Sequence, residues 1–233
     1  MRILVTRPEA SAVRTGERLK ALGHEPIFLP LFAAVHDPEG VAQARTCGGV
    51  AAVLATSAEA IRALGSAGEL AGKPLFAVGK TTAKVAADAG FSHVEAADGD
   101  GAALAAVLRE RFPGDHKPEL LYLAGEPRSP RLEQELAAAR FPVKVIVCYR
   151  MRPADVTGDI LQAAFEQRPE AVLLYSTETA RRFFELSESF LKERQDIRFL
   201  CLSPAIAEAV PASMKSRTKH AVRPDERSLF ELL

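Results

Sequence analysis

The sequence predicts an α/β protein made of two copies of one strand–helix plan, with small parallel sheets covered by helices on both faces. Three observations carry this. Short β-branched runs alternate with helical segments along the 233 residues. The plan restarts near residue 119. The second copy then aligns with the first at an almost constant offset.

Ile3 to Thr6 reads as the first strand, and Glu9 to Leu22 as a helix with Ala10, Val13, Gly16 and Leu19 three apart, stopped by Gly23. Pro26 to Leu31 is a second strand. Ala33 to Gly40, with Asp37-Pro38, reads as a connector that is neither helix nor strand. Val50 to Ala55 is a third strand, and Thr56-Ser57-Ala58-Glu59 is a capping box opening a helix to about Leu64. Leu75 to Val78 is a fourth strand, turned by Gly79-Lys80-Thr81-Thr82 into a helix ending near Gly90. Ser92 to Glu95 suits a short fifth strand, and Gly101 to Phe112 a helix closed by Pro113-Gly114. In the second copy, Glu119 to Leu123 is a strand and Ser129 to Arg140 a helix with Pro130 in its first turn. Val143 to Tyr149 is a buried strand broken only by Lys144, with Pro153 marking where the chain leaves the sheet.

An offset of 117 pairs Ile3-Leu4-Val5 with Leu120-Leu121-Tyr122, and Phe28-Leu29 with Val145-Ile146. An offset of 120 sets Val53 to Ser57 on Leu173 to Thr177, and one of 124 sets Phe76 to Gly79 on Leu200 to Ser203. Loops of slightly different length produce such a drift. The alternative is the loose alignment that any two α/β segments allow.

Composition excludes several function classes. Thirty Lys and Arg balance thirty Asp and Glu, so net charge offers nothing to nucleic acid or an anionic membrane. Cys47, Cys148 and Cys201 lie far apart with no C-x-x-C, which suits reduced, inert thiols in a cytoplasmic setting. The five His residues do not cluster, so no metal is expected. The amino-terminal apolar run is too short for a signal peptide, and no run approaches the ~20 residues of a membrane span.

In parallel sheets ligands sit beyond the carboxyl ends of the strands. Four such turns carry hydroxyls: Thr56-Ser57, Lys80-Thr81-Thr82, Ser176-Thr177 and Ser203. Helix starts offer free N–H groups and a positive dipole end to carboxylates. Ser and Thr are also ordinary N-caps, and both readings stand for each turn. Arg7, just after the first strand, suits a carboxylate; Arg128, Arg131 and Arg150 are weaker candidates, and a solvated surface Arg is the alternative for each. Glu126 suits a cap of the following helix. Gly79-Lys80-Thr81 lacks the upstream Gly of a phosphate loop, because position 74 is Pro. A nucleotide-dependent enzyme is therefore disfavoured. No nucleophile–base pair appears, with no G-x-S-x-G and no H-E-x-x-H. What remains is a shaped anion-binding cleft with one proton donor, or binding without reaction. Tyr149 is the candidate donor; its alternative is a Tyr packing at a strand end.

Taken in order, Thr6-Arg7-Pro8, Leu22-Gly23, Leu29-Pro30-Leu31, Leu54-Ala55-Thr56-Ser57, Ala77 to Ala83 and Val147-Cys148-Tyr149-Arg150 resemble the uroporphyrinogen-III synthase family across essentially the whole chain. The resemblance implies two α/β lobes, each a small parallel sheet flanked by helices, joined by a two-stranded connector with the cleft between them. Carried over, lobe one is 1–33 plus 152–233, lobe two is 36–147, and the connectors are 33–37 and 148–153.

It further implies a cofactor-independent lyase of tetrapyrrole and heme biosynthesis. Such an enzyme closes hydroxymethylbilane with inversion of ring D through a spiro-pyrrolenine and releases water. The implied catalytic residue is Tyr149. The implied substrate contacts are Arg7, Thr56, Ser57, Lys80, Thr81, Thr82, Gly125, Ser176, Thr177 and Ser203. A cytoplasmic monomer that transiently meets the preceding pathway enzyme is also implied. Two departures stand out. The family's Ser-Pro after the third strand of each half is Ser57-Ala58 and Ser176-Thr177, and its G-x-T-T-A turn is Ser203-Pro204-Ala205-Ile206-Ala207. The second departure motivates a non-catalytic binding protein for a tetrapyrrole or other polycarboxylate as the competing function.

Overall fold

The computed structural model describes residues 1–233. The chain opens with β1 (Arg2–Val5), α1 (Glu9–Ala21), β2 (Glu25–Phe28) and β3 (Phe32–His36). It continues through α2 (Pro38–Arg45), β4 (Ala52–Ala55), α3 (Ala58–Leu64), β5 (Leu75–Val78) and α4 (Gly79–Asp88). Next come β6 (Val94–Ala97), α5 (Gly101–Arg111), β7 (Leu120–Glu126), α6 (Arg131–Ala138) and β8 (Val143–Pro153). The last part holds α7 (Gly158–Glu166), β9 (Ala171–Leu174), α8 (Thr177–Glu193), β10 (Arg198–Cys201), α9 (Pro204–Glu208), β11 (Thr218–His220) and α10 (Glu226–Phe230).

Two compact units result. Unit 1 is Met1–Ala33 with Arg152–Leu233, and unit 2 is Ala34–Met151. Unit 1 holds a five-stranded sheet in the order β11-β10-β9-β1-β2, and every pair in it is parallel. Unit 2 holds the order β6-β5-β4-β7-β8, also parallel, with β3 added at the edge beside β8. The two orders correspond strand for strand: β1 and β2 in one stand where β7 and β8 stand in the other, and β9 to β11 where β4 to β6 stand. Each sheet therefore combines the first two strands of one sequence copy with the later strands of the other.

The strands alternate sides, so consecutive apolar residues feed two cores. In unit 2, Val53, Ala55, Leu75, Ala77, Leu121 and Leu123 face one cluster, while Ala52, Leu54, Phe76, Leu120 and Tyr122 face the other. In unit 1, Leu4, Val172, Leu174 and Phe199 pack with Phe165, Phe183 and Phe184, and Ile3, Val5, Leu173 and Leu200 pack with Leu19 and Leu229. Burying each of the Val, Leu, Ile and Phe side chains among these stabilises by about 1.5–3 kcal/mol.

Local expectations are corrected at several points. Residues 33–40 are not a bare connector: β3 ends at His36, and Asp37 caps α2 by accepting the Gly40 N–H at 3.1 Å with Pro38 in the first turn. The capping box after β4 shifts by one, because Ser57 rather than Thr56 is the cap, accepting the Glu59 N–H at 3.2 Å. Pro130 is the residue before α6, not within it. The stripe on α1 is Ala12, Thr15, Gly16 and Leu19, and Val13 points outward at 49% exposure. Gly16 belongs to that stripe because a Cβ there would overlap the Phe28 ring.

Candidate functional site

In unit 2 the carboxyl ends of β4, β5, β7 and β8 gather most of the residues singled out above. Thr56 follows β4, and its hydroxyl shares a 2.8 Å hydrogen bond with the Tyr122 hydroxyl. Both line a cavity of about 330 Å³ with Val78, Gly101, Ser129 and Arg131. Burial pushes the Tyr122 phenol up, partly offset by Thr56. At the end of β5 the chain enters α4 directly at Gly79, where φ is 77°, and no side chain caps the helix. Its first-turn N–H groups are therefore open to an outside acceptor. Lys80 and Thr81 are exposed on that turn, whereas Thr82 is 5% exposed and turns inward.

Tyr149 stands in β8 opposite Gly125 in β7. It is 9% exposed and packs with Ile146 and Cys148. Burial pushes its phenol up, and the nearby Ser57 hydroxyl partly offsets this. The phenol thus stays protonated through the neutral range, the form a proton donor requires. Arg150, the next residue, is held by Asp37 and by Glu126, the latter at 2.9 Å. Gly125 is buried, and the side of its Cα where a side chain would stand is filled by the Tyr149 ring.

In unit 1 the corresponding rim is organised around one carboxylate. Glu226 of α10 accepts from Thr15 at 2.6 Å, Tyr175 at 2.7 Å, Arg7 at 3.0 Å and Arg18 at 2.5 Å. The Arg7 guanidinium also lies 4.3 Å from the Tyr175 ring centre. Burial alone raises the Glu226 carboxyl, but the Thr15 and Tyr175 hydroxyls and the two arginines outweigh it and hold the carboxyl below its ordinary value. Burial and the Glu226 charge raise Tyr175. Ser176 caps α8 by accepting the Thr179 N–H at 3.1 Å, with its own hydroxyl on Thr179 at 2.8 Å. Thr177 opens that helix half-buried. Ser203 precedes α9 without making a side-chain cap. Ile206 is 5% exposed and joins the Phe183–Phe199 core, which accounts for an apolar residue there.

Every Arg proposed for an outside carboxylate already has an inside one: Arg7 with Glu226, Arg128 with Glu133, Arg131 with Asp100, and Arg150 with Asp37 and Glu126. Among the remaining candidates, Thr56, Ser57 and Ser176 are engaged within the fold, and the starts of α4 and α9 carry no side-chain cap. Sequence reasoning missed Tyr122 and Glu226. Tyr122 carried a signal, being the lone polar tip inside a continuous apolar strand. Glu226 carried none, lying 219 residues from Arg7. Elsewhere, no three His, Cys, Asp or Glu side chains converge as a metal site, and no helix is long and apolar enough to cross a membrane. Burial pushes the Cys148 and Cys201 thiols up to about 11 and about 12, away from reactive thiolate.

Solved structures similar to this chain include uroporphyrinogen-III synthetase from Helicobacter pylori, with TM-score 0.62 and 16% identity over 100% of this chain and 98% of that one. They also include a substituted uroporphyrinogen III synthase from the extremely thermophilic bacterium Thermus thermophilus, with TM-score 0.53 and 20% identity over 100% and 96%. No curated protein sequence matches significantly. A family profile described as Uroporphyrinogen-III synthase HemD matches residues 13–231. With that profile spanning nearly the entire sequence, the chain belongs to the uroporphyrinogen-III synthase family.

Proposed function

We propose that the protein is a uroporphyrinogen-III synthase, a cofactor-independent cyclising hydro-lyase of heme biosynthesis acting in the cytoplasm. What supports this is a buried phenol within β8: the resemblance of Val147-Cys148-Tyr149-Arg150 would set Tyr149 at the family's functional Tyr, and burial pushes the phenol up, toward the protonated form. In this reading Tyr149 gives its proton to the departing hydroxyl of hydroxymethylbilane, which leaves as water. The resulting azafulvene is attacked by the substituted carbon of ring D. The spiro-pyrrolenine fragments and recloses with ring D inverted. The proton released as the pyrrole regains aromaticity restores the phenol, so the net change is loss of one water.

The rest of the task is conformational. Each unit has turns that suit carboxylates of the bilane: Thr56 and Ser57, then Lys80, Thr81 and Thr82 in unit 2, and Ser176, Thr177 and Ser203 in unit 1. Arg7 supports the unit 1 rim through Glu226. Holding the substrate so that the crowded carbon reacts replaces conventional acid–base machinery.

A second reading is a non-catalytic protein that binds a tetrapyrrole. One observation favours it: Ala205 and Ile206 bring no hydroxyl to the turn after β10, and Ile206 is spent in the core. Hydroxymethylbilane consumption separates the two. The synthase reading expects turnover well above the spontaneous rate; binding of the product without faster consumption supports the alternative.

A further inference from the structure

We infer that Gly125 is a positioning residue for Tyr149, and that the β7–β8 bulge with this glycine sets the direction of the phenol. The inference deepens the synthase reading and rests on it.

The two strands run in register from Leu120 opposite Val143 to Ala124 opposite Val147, and then Gly125 falls opposite Tyr149, leaving Cys148 as the extra residue. Such a bulge reverses the alternation of side chains beyond it. Before it, Val143 and Val145 lean on the α5–α6 side of the sheet, while Ile146 takes the other side. Simple alternation would send Tyr149 with Val143, Val145 and Val147. Instead it joins Ile146 and Cys148 in the cluster beneath α2 to α4. That is the side on which Leu121 and Leu123 also point, and hence the side where a residue 125 side chain would stand.

The bulge therefore steers the ring onto the one position of β7 that offers no side chain. A Cβ on Gly125 would overlap the ring carbons and hydroxyl of Tyr149. The ring cannot swing aside freely, because Ser57 neighbours its hydroxyl and Arg150 is tied to Asp37 and Glu126. The φ of Gly125 is not positive, so space and not backbone freedom is what this glycine supplies. On this account the contact of Gly125 is with the proton donor and not with substrate.

The test is Gly125→Ala in the full chain, read by steady-state kinetics and by the near-ultraviolet tyrosine spectrum, which is uncluttered because the chain has no Trp. Displacing the phenol by a methyl's width is expected to lower kcat by ~100-fold and change the tyrosine spectrum, while KM stays within ~3-fold. If Gly125→Ala does not fold, the double variant Gly125→Ala with Tyr149→Ala should, because removing the ring makes room for the methyl. An unchanged kcat, a loss confined to KM, or a folding defect that persists without the ring each overturns the inference. If the wild-type chain itself shows no turnover, the synthase reading fails; wild-type activity with an unaffected Gly125→Ala fails only the inference.

Discussion

Replacing Glu226 with Gln tests how unit 1 holds its carboxyl-terminal helix. The carboxylate is 13% exposed and takes four hydrogen bonds, two from arginines and two from hydroxyls. An amide oxygen can still accept from Thr15 and Tyr175, but the amide nitrogen meets Arg18 donor to donor, and Arg7 keeps a partly buried charge without its anion. Losing one charge-assisted bond costs about 1.5–3 kcal/mol; Arg18 is 65% exposed, so its share is small. A total of about 2–3 kcal/mol at neutral pH corresponds to a fall in Tm of ~4–12 °C for a chain of this size. The pH dependence has a definite sign. Because the folded chain holds this carboxyl below its ordinary value, its stabilisation is full above the unfolded glutamate pKa of about 4.3. It is lost as pH falls through the still lower folded value. Calorimetry of both proteins from neutral pH downward should show the Tm gap closing in acid. Equal Tm at neutral pH, or a gap that persists unchanged in acid, refutes the network's role.

Other expectations follow from the same geometry. Tyr149→Phe removes the proton but keeps the ring, so kcat should fall by ~10-fold or more with Tm nearly unchanged; full activity would exclude the phenol as donor. Gly40→Ala places a methyl against the Val147 carbonyl, and denaturant unfolding should show a loss of about 1–3 kcal/mol; a neutral result would mean that α2 and β8 part easily. Thr56→Val leaves the Tyr122 hydroxyl, whose residue is 1% exposed, without its partner at about 1–3 kcal/mol, which the same unfolding measurement reads.

How far the sequence could be read differs from element to element. The α/β class and the parallel sheets were legible because runs such as Leu120–Leu123 and Ala171–Leu174 are apolar on both faces. Asp37-Pro38 reads as a break in the sequence, yet Asp before Pro is also a strong helix start; the cap decides, and α2 follows. In Thr56-Ser57 two adjacent hydroxyls compete for one cap, and the hydrogen bond of Thr56 to Tyr122 leaves the role to Ser57. The bulge at Gly125 leaves no periodic trace, so the side on which Tyr149 emerges could not be read. Nor could the pairing of Arg7, Arg128, Arg131 and Arg150 with carboxylates inside their own units. Two of those partners, Glu226 for Arg7 and Asp37 for Arg150, lie 219 and 113 residues away.

The most direct measurement is the isomer composition of uroporphyrinogen formed when purified protein meets hydroxymethylbilane. A site that folds the bilane so that ring D reacts at its crowded carbon yields mainly isomer III, and less of it when Tyr149 is Phe. Product consisting only of isomer I, as forms without any protein, would contradict the account.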